Sequence, residues 1–139
     1  MPFTYEYARP ALSVDCVVFR GDEILLVERA REPFASHWAL PGGFLDVGEE
    51  LCAGAMRELK EETGLAGIEL QQVGAFGDPS RDPREHVVSV AFWGEAPLSA
   101  KVVAGDDARL AAWWRLGETP RLAFDHAEIL EAALERRKR

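Results

Sequence analysis

Two apolar runs, Leu12 to Phe19 and Ile24 to Val27, flank a Gly21-Asp22 dipeptide. That pairing predicts two strands closed by a tight hairpin turn. Further apolar runs at Ile68 to Phe76, Val87 to Trp93 and Leu110 to Leu116 predict three more strands. Between the first and second groups the period changes. Leu51, Ala55 and Leu59 recur at i, i+4 and i+8, with Cys52 and Met56 alongside, so a helix packs one side down and stops at Gly64. A second helix is expected over Phe124 to Arg136, with Asp125 near its start. Residues 30 to 37 read as a polar loop. Trp38-Ala39-Leu40 then leads into Pro41-Gly42-Gly43, where proline fixes one backbone angle and the glycines free the next two. Strands and helices in this segregated order describe an α+β fold, without internal repeats or low-complexity segments.

Length and composition fit one domain over residues 1–139: at 47% hydrophobic content a chain of this size buries roughly two-thirds of its unfolded surface without disulfides. The net charge of −8 argues against nucleic acid or a membrane surface as partner, since either selects a basic face. No apolar run approaches the ~18 residues of a membrane span, and Tyr5, Glu6, Tyr7 and Arg9 break any signal-peptide pattern, so the expected location is cytoplasmic. Cys16 and Cys52 are isolated and read as buried small hydrophobes.

The chemistry is concentrated between Gly43 and Leu65. Glu58, Glu61 and Glu62 stand at i, i+3 and i+4, so three carboxylates share one helix face within a turn. Like charges so spaced cost roughly 0.2–0.5 kcal/mol per pair, and Glu61 and Glu62 also fall in the last turn, where the helix dipole is already negative. A hard divalent cation reverses both penalties, because carboxylate oxygens are its preferred ligands. Magnesium suits a site with few carboxylates that leaves room for waters and phosphates. Gly54 projects among the glutamates at a cost of about 1 kcal/mol against alanine, which implies that something needs the room. Glu49 stands at the helix start, and Arg57 can reach back to hold the preceding loop; the pair is expected to orient the catalytic groups.

The run Gly43, five residues, Glu49, seven residues, Arg57-Glu58-Leu59-Lys60-Glu61-Glu62-Thr63-Gly64-Leu65 resembles the signature of the Nudix hydrolases at every specified position. The resemblance implies an α/β/α sandwich with a mixed β-sheet between helices. It also implies metal-dependent hydrolysis of a nucleoside diphosphate joined to another group. Glu58, Glu61 and Glu62, with the backbone carbonyl of Gly42, would then bind magnesium, for which manganese would substitute. The base that takes the water proton varies among Nudix subfamilies; the local candidates are Glu61 and, in Gly105-Asp106-Asp107-Ala108, Asp106 or Asp107.

A second segment, Gly77 to Arg84, carries two prolines that stiffen a loop presenting Arg81 and Arg84 as a phosphate clamp; the alternative is pairing with Asp78, Asp82 and Glu85. Arg29, at the end of the second strand, is a further phosphate-facing candidate. Phe44, with Trp38 and Phe76, is a candidate for stacking on a base. The Arg81-Asp82-Pro83-Arg84 run, Leu122-Ala123-Phe124-Asp125-His126, and Trp38 to Phe44 resemble the ADP-ribose pyrophosphatase branch. One departure is Leu110, close to where members of that branch often carry a glutamate. The resemblance implies ADP-ribose as substrate, cleaved to AMP and ribose 5-phosphate, and homodimers as a common state. The alternatives are a nucleoside triphosphate pyrophosphohydrolase and a nucleotide-sensing regulator on the same fold; such regulators add a DNA-binding segment, for which the residues after Asp125 are too few. His37, His86 and His126 lack metal-ligand spacing, and His126 beside Asp125 reads as helix-start chemistry. Trp93, Trp113 and Trp114 read as core or interface residues, and the closing Arg136 to Arg139 run as a favourable helix end.

Overall fold

The computed structural model describes residues 3–105 and 108–139. Strands β1 (Ala11–Arg20) and β2 (Glu23–Arg29) form the expected hairpin, with Gly21 in the left-handed region at φ +59°. They pair only at its base, through Phe19 with Ile24 and Arg20 with Glu23. Beyond that they part, and two short strands occupy the edges they release. Strand β3 (Trp38–Ala39) bonds β2 at Val27 and Glu28, while β4 (Gly42–Phe44) bonds β1 at Ser13, Val14 and Asp15. Neither was expected as a strand, since segments of two and three residues are too short for an apolar alternation to show.

The remaining strands complete a mixed sheet. Strand β6 (Val87–Glu95) runs parallel to β1 from Ala11 to Phe19, β5 (Gln71–Phe76) is antiparallel to β6, and β7 (Ala108–Arg115) is antiparallel to β2. The strand expected from Ile68 begins only at Gln71. Residues 68 to 70 cross Gly94, where an added Cβ would lie 3.0 Å from Ile68 and 3.1 Å from Leu70, so they pack on β6 instead of pairing with it.

Alternation along β1 sends its residues to two cores. Val14, Cys16 and Val18 meet Ala55 and Leu59 of helix α1 (Leu51–Thr63), whereas Val17 and Phe19 meet Ile129, Leu130 and Ala133 of helix α2 (His126–Lys138). Each such leucine or isoleucine, taken fully out of water, contributes roughly 1.5–3 kcal/mol. The result is the expected sandwich, with a helix on each face of the sheet. Asp15 shares the α2 face with Val17 and Phe19 and is buried there. Of the residues flanking the α1 stripe, Cys52 packs against the core but Met56 is 40% exposed.

The second helix begins at His126, two residues later than its apolar pattern suggested, because Phe124 adopts a positive φ of 53°. The basic C-terminal run staples this helix to the sheet. Arg136 donates to the Val73 carbonyl at 3.0 Å, and Arg137 reaches Glu95 and the Gly21 carbonyl, each at 2.7 Å. Among the described residues no helix is long and apolar enough to cross a membrane.

Candidate active site

Where β1 and β2 diverge, the space between them opens into a cavity of about 440 Å³, within the ~300–1,000 Å³ usual for small-molecule sites. Asp15 and Arg29 come from the diverging strands, Gly42 to Phe44 from the turn and strand laid along β1, and Glu58 and Glu62 from α1. The loop between β5 and β6 adds Arg81, Asp82 and Arg84, and the approach to α2 adds Phe124 and His126.

Helix α1 is capped at both ends by its own sequence. The Glu50 carboxylate accepts the Ala53 N–H at 2.9 Å, and Gly64 closes the helix at φ +78° with its N–H on the Lys60 carbonyl. The N-cap is thus Glu50, one residue after Glu49. Glu49 turns inward and accepts the Asp46 N–H at 3.0 Å and a bidentate pair from Arg57 at 2.6 and 2.9 Å. Gly54 is explained by this arrangement, since a Cβ there would lie 2.9 Å from Glu49 Oε1 and press on Leu45. Arg57 also donates to Glu58 at 2.8 Å, to Glu61 at 3.2 Å and to the Phe44 carbonyl at 3.2 Å. One guanidinium thus offsets part of the carboxylate repulsion that the sequence alone assigned to a cation.

Arg57, followed by the Asp46 N–H, pulls the Glu49 carboxyl down from its ordinary 4.5 to about 2. Between those values the unfolded chain binds more protons than the folded one, so stability rises with pH. The contribution is complete above pH 4.5 and is lost as pH falls toward 2. Thermal melts across this window should show a steeper loss on acidification in the wild type than in Glu49→Gln. Parallel curves would mean that the pair adds nothing to folding.

The three signature glutamates do not share one location. Glu58 and Glu62 line the cavity, and the Glu58 side chain is only 13% exposed. Glu61 does not line it: its carboxylate, 58% exposed, turns one helical turn back to Arg57. Among the described residues no three acidic, histidine or cysteine side chains are gathered so as to hold a metal ion by themselves. The chain instead sets backbone against carboxylate. A Cβ added at Gly43 would lie 2.6 Å from the Glu58 carboxyl carbon, so the turn's peptide groups rest directly on that side chain. Two carboxylates beside turn backbone, too few for a closed cage, fit a hard divalent ion that keeps waters and substrate phosphates in its shell. The segment leading to Gly105 packs on the C-terminal turn of α1, through Val103 N–H to Thr63 O at 3.0 Å and Gly105 N–H to Glu62 O at 2.9 Å. The base candidates that follow it, Asp106 and Asp107, lie outside the described residues.

The arginines divide. Arg84 forms a bidentate pair with its loop neighbour Asp82 at 3.0 and 2.7 Å, yet remains 42% exposed and stacks 5.4 Å from the Phe44 ring centre and 6.0 Å from that of Phe124. Arg29 lies over the same Phe124 ring, 4.9 Å from its centre, and donates its Nε–H to the Pro33 carbonyl at 2.8 Å. Burial, then the charge of Arg84, lowers the Arg29 pKa; two guanidiniums facing one space repel, and an anion between them would relieve that. Arg81 was expected to project from a stiff surface loop. It is instead 3% exposed and bound to Asp125 by two bonds of 2.9 and 2.7 Å, with Asp15 at 3.9 Å. Of the three aromatic candidates only Phe44 lines the cavity; Trp38 packs edge-on against Trp114, and Phe76 packs against the α2 core.

The cavity floor is built from residues far apart in the chain. Asp15 accepts from the Ser89 hydroxyl and faces both Arg81 and the imidazole of His126. His126 is not simply helix-start chemistry: it is buried, its pKa is lowered by that burial, and its ring contacts the backbone of Leu40. Asp125 leaves its helix without a side-chain cap because its carboxylate holds Arg81. The sequence signal at Asp15 is a carboxylate within the mostly apolar run Leu12 to Phe19.

Comparison with known proteins assigns the fold. A family model described as the NUDIX domain matches residues 9–133. The chain belongs to the Nudix family. It is 41% identical over 125 residues to an ADP-ribose pyrophosphatase of Methanocaldococcus jannaschii, covering 90% of this chain and 73% of that protein. It is 35% identical to the ADPR responsive transcriptional repressor NtrR of Acinetobacter baylyi, covering 94% of this chain but only 56% of the repressor. Among solved structures, the NUDIX domain of Shewanella oneidensis NrtR complexed with ADP ribose superposes with a TM-score of 0.86 at 31% identity, covering 94% and 90% of the two chains. Family and similarity together indicate a Nudix pyrophosphohydrolase, and Nudix hydrolases generally use divalent metal ions.

Proposed function

We propose that this Nudix domain hydrolyses the pyrophosphate bond of ADP-ribose, giving AMP and ribose 5-phosphate. The observation that carries the reading is a single cavity receiving carboxylates from α1 and guanidiniums from β2 and the loop before β6. A diphosphate held between a cation and arginines needs that combination. In this reading Glu58, Glu62 and the Gly42 carbonyl hold the ion, and Glu61 joins them only by leaving Arg57. Arg57 and Glu49 act by orientation: they fix Glu58 and tie the loop at Phe44 to the helix. Arg29 and Arg84 receive the phosphates, Arg81 anchors the floor beneath them, and Phe44 with Phe124 provides the apolar surface for a base or sugar. The divalent ion, when bound, supplies polarisation of the phosphate and a more acidic attacking water. A carboxylate then accepts the water's proton, with Glu61, Asp106 and Asp107 the candidates; activity lost in one of Glu61→Gln, Asp106→Asn and Asp107→Asn and kept in the other two identifies it. The proposal extends to magnesium, replaceable by manganese, to a cytoplasmic location and to a homodimer, the last checked by sedimentation velocity.

Turnover of a nucleotide panel tests the substrate. With magnesium, kcat/KM for ADP-ribose is expected to exceed that for nucleoside triphosphates by roughly 10²-fold or more, since buried polar groups shaped for one substrate reject others strongly. A preference for triphosphates would replace the proposal with a nucleotide-sanitising activity. Tight ADP-ribose binding without turnover would favour a sensor, the reading suggested by similarity to the Acinetobacter baylyi repressor.

A further inference from the structure

The backbone between β3 and β4 must be placed with care, because it lies against both the acidic helix and the cavity. It is held at three successive residues. Gly42 pairs with Asp15 across β1 and β4, and a Cβ on it would strike the Val14 carbonyl and the Asp15 carboxylate. The Pro41 carbonyl accepts the Cys16 N–H at 2.8 Å. Leu40, 2% exposed, lies between the two short strands, and its N–H goes to a side chain, donating to His126 Nδ1 at 3.0 Å. A buried backbone N–H without a partner is costly, so the acceptor at position 126 fixes where this peptide can lie. Acceptance at Nδ1 leaves the ring proton on Nε2, which faces Asp15 Oδ1 at 3.5 Å. The imidazole is thus oriented from behind by a carboxylate that Ser89 and Arg81 hold in turn.

We propose that His126 is a positioning residue for the cation site: by accepting the Leu40 N–H it sets the 40–42 turn so that the Gly42 carbonyl meets the ion together with Glu58 and Glu62. The inference rests on the proposed role of those three groups. It adds a residue 84 positions away from Gly42 in the chain, acting through Leu40.

Two substitutions of similar size separate the imidazole's two contacts. His126→Asn keeps an acceptor where Nδ1 stands and gives up the donor to Asp15. His126→Gln keeps a donor near Nε2 and gives up the acceptor. Manganese binding to the full chain is measured by electron paramagnetic resonance without nucleotide, alongside metal-free calorimetry with ADP-ribose and thermal melts. Because loss of a group that orients a metal ligand typically costs 10–100-fold in affinity, Gln is expected to weaken manganese binding about tenfold or more and Asn by less than about threefold. Metal-free ADP-ribose affinity is expected to fall by a smaller factor than manganese affinity in Gln, since His126 lines the cavity wall but reaches the ion only through Leu40. Equal manganese affinity in wild type and Gln overturns the inference, as does an equal loss in Asn and Gln. A parallel fall of manganese affinity, ADP-ribose affinity and melting temperature in Gln would also overturn it, by showing a general structural role. A wild-type chain that takes up no manganese instead overturns the ion-holding role of Glu58, Glu62 and Gly42, a failure visible before any variant is made.

Discussion

Glu62→Gln is expected to lower kcat for ADP-ribose with saturating magnesium by at least about a hundredfold while the protein stays folded. Glutamine matches glutamate in size but offers a hard cation a neutral oxygen in place of a charged one. The position magnifies this difference. Glu62 stands in the final turn of α1, where the dipole opposes negative charge, and it faces the cavity beside Glu58. Its carboxylate is therefore poorly placed for helix stability and well placed for an ion. Steady-state kinetics with a circular dichroism melt make the check. Unchanged turnover would remove Glu62 from the mechanism, while loss of the native melt would assign the effect to folding.

Arg81→Leu should destabilise the domain by about 3–5 kcal/mol, because it strips the counter-charge from a buried carboxylate. The Arg81 side chain is 3% exposed and its partner Asp125 14%, with Asp15 close behind. In a domain of this size such a loss lowers the melting temperature on the order of 10 °C. The double variant Arg81→Leu with Asp125→Leu should recover much of it, since replacing both members of a buried pair by apolar groups is often close to neutral. Differential scanning calorimetry of the two single variants and the double closes the cycle. If Arg81→Leu melts with the wild type, the pair is not what holds the loop before β6 against α2. Recovery of stability in the double variant without recovery of activity would show that the floor serves the site as well as the fold.

These two residues also mark how differently parts of the site could be read. Glu62 was evident from its spacing to Glu58, since residues three and four apart on a helix are neighbours whatever surrounds them. Arg57 is legible from its place two turns after Glu49; the i, i+4 spacing also allows it to bond Glu61, but only the structure shows that this bond turns one of the three clustered acids away from the cavity. Arg81 was singled out for its loop and residue type, but its burial was invisible, because its partner Asp125 lies 44 residues on. His126 has no metal-ligand spacing to mark it, and its relevant neighbour is a backbone N–H 86 residues earlier. Phe124 continues the apolar pattern of a helix that starts two residues later, and that pattern hides its place on the cavity wall.

By itself the sequence determined the hairpin at Gly21, the apolar face and acidic edge of α1, the glycines that cap and clear that helix, and the Nudix signature. All of these depend on turn chemistry or on helical and strand periods, which act over a few residues. The tertiary structure alone decided that β1 and β2 part after two residue pairs, that β3 and β4 fill the released edges, and that Asp15, Arg81, Asp125 and His126 meet beneath the opening. Those contacts join segments far apart in the chain, brought together by strand pairing and by the packing of α2 and the loop before β6, which residue pattern does not encode locally. The buried charges there are tolerable only because each finds partners that the local sequence does not contain.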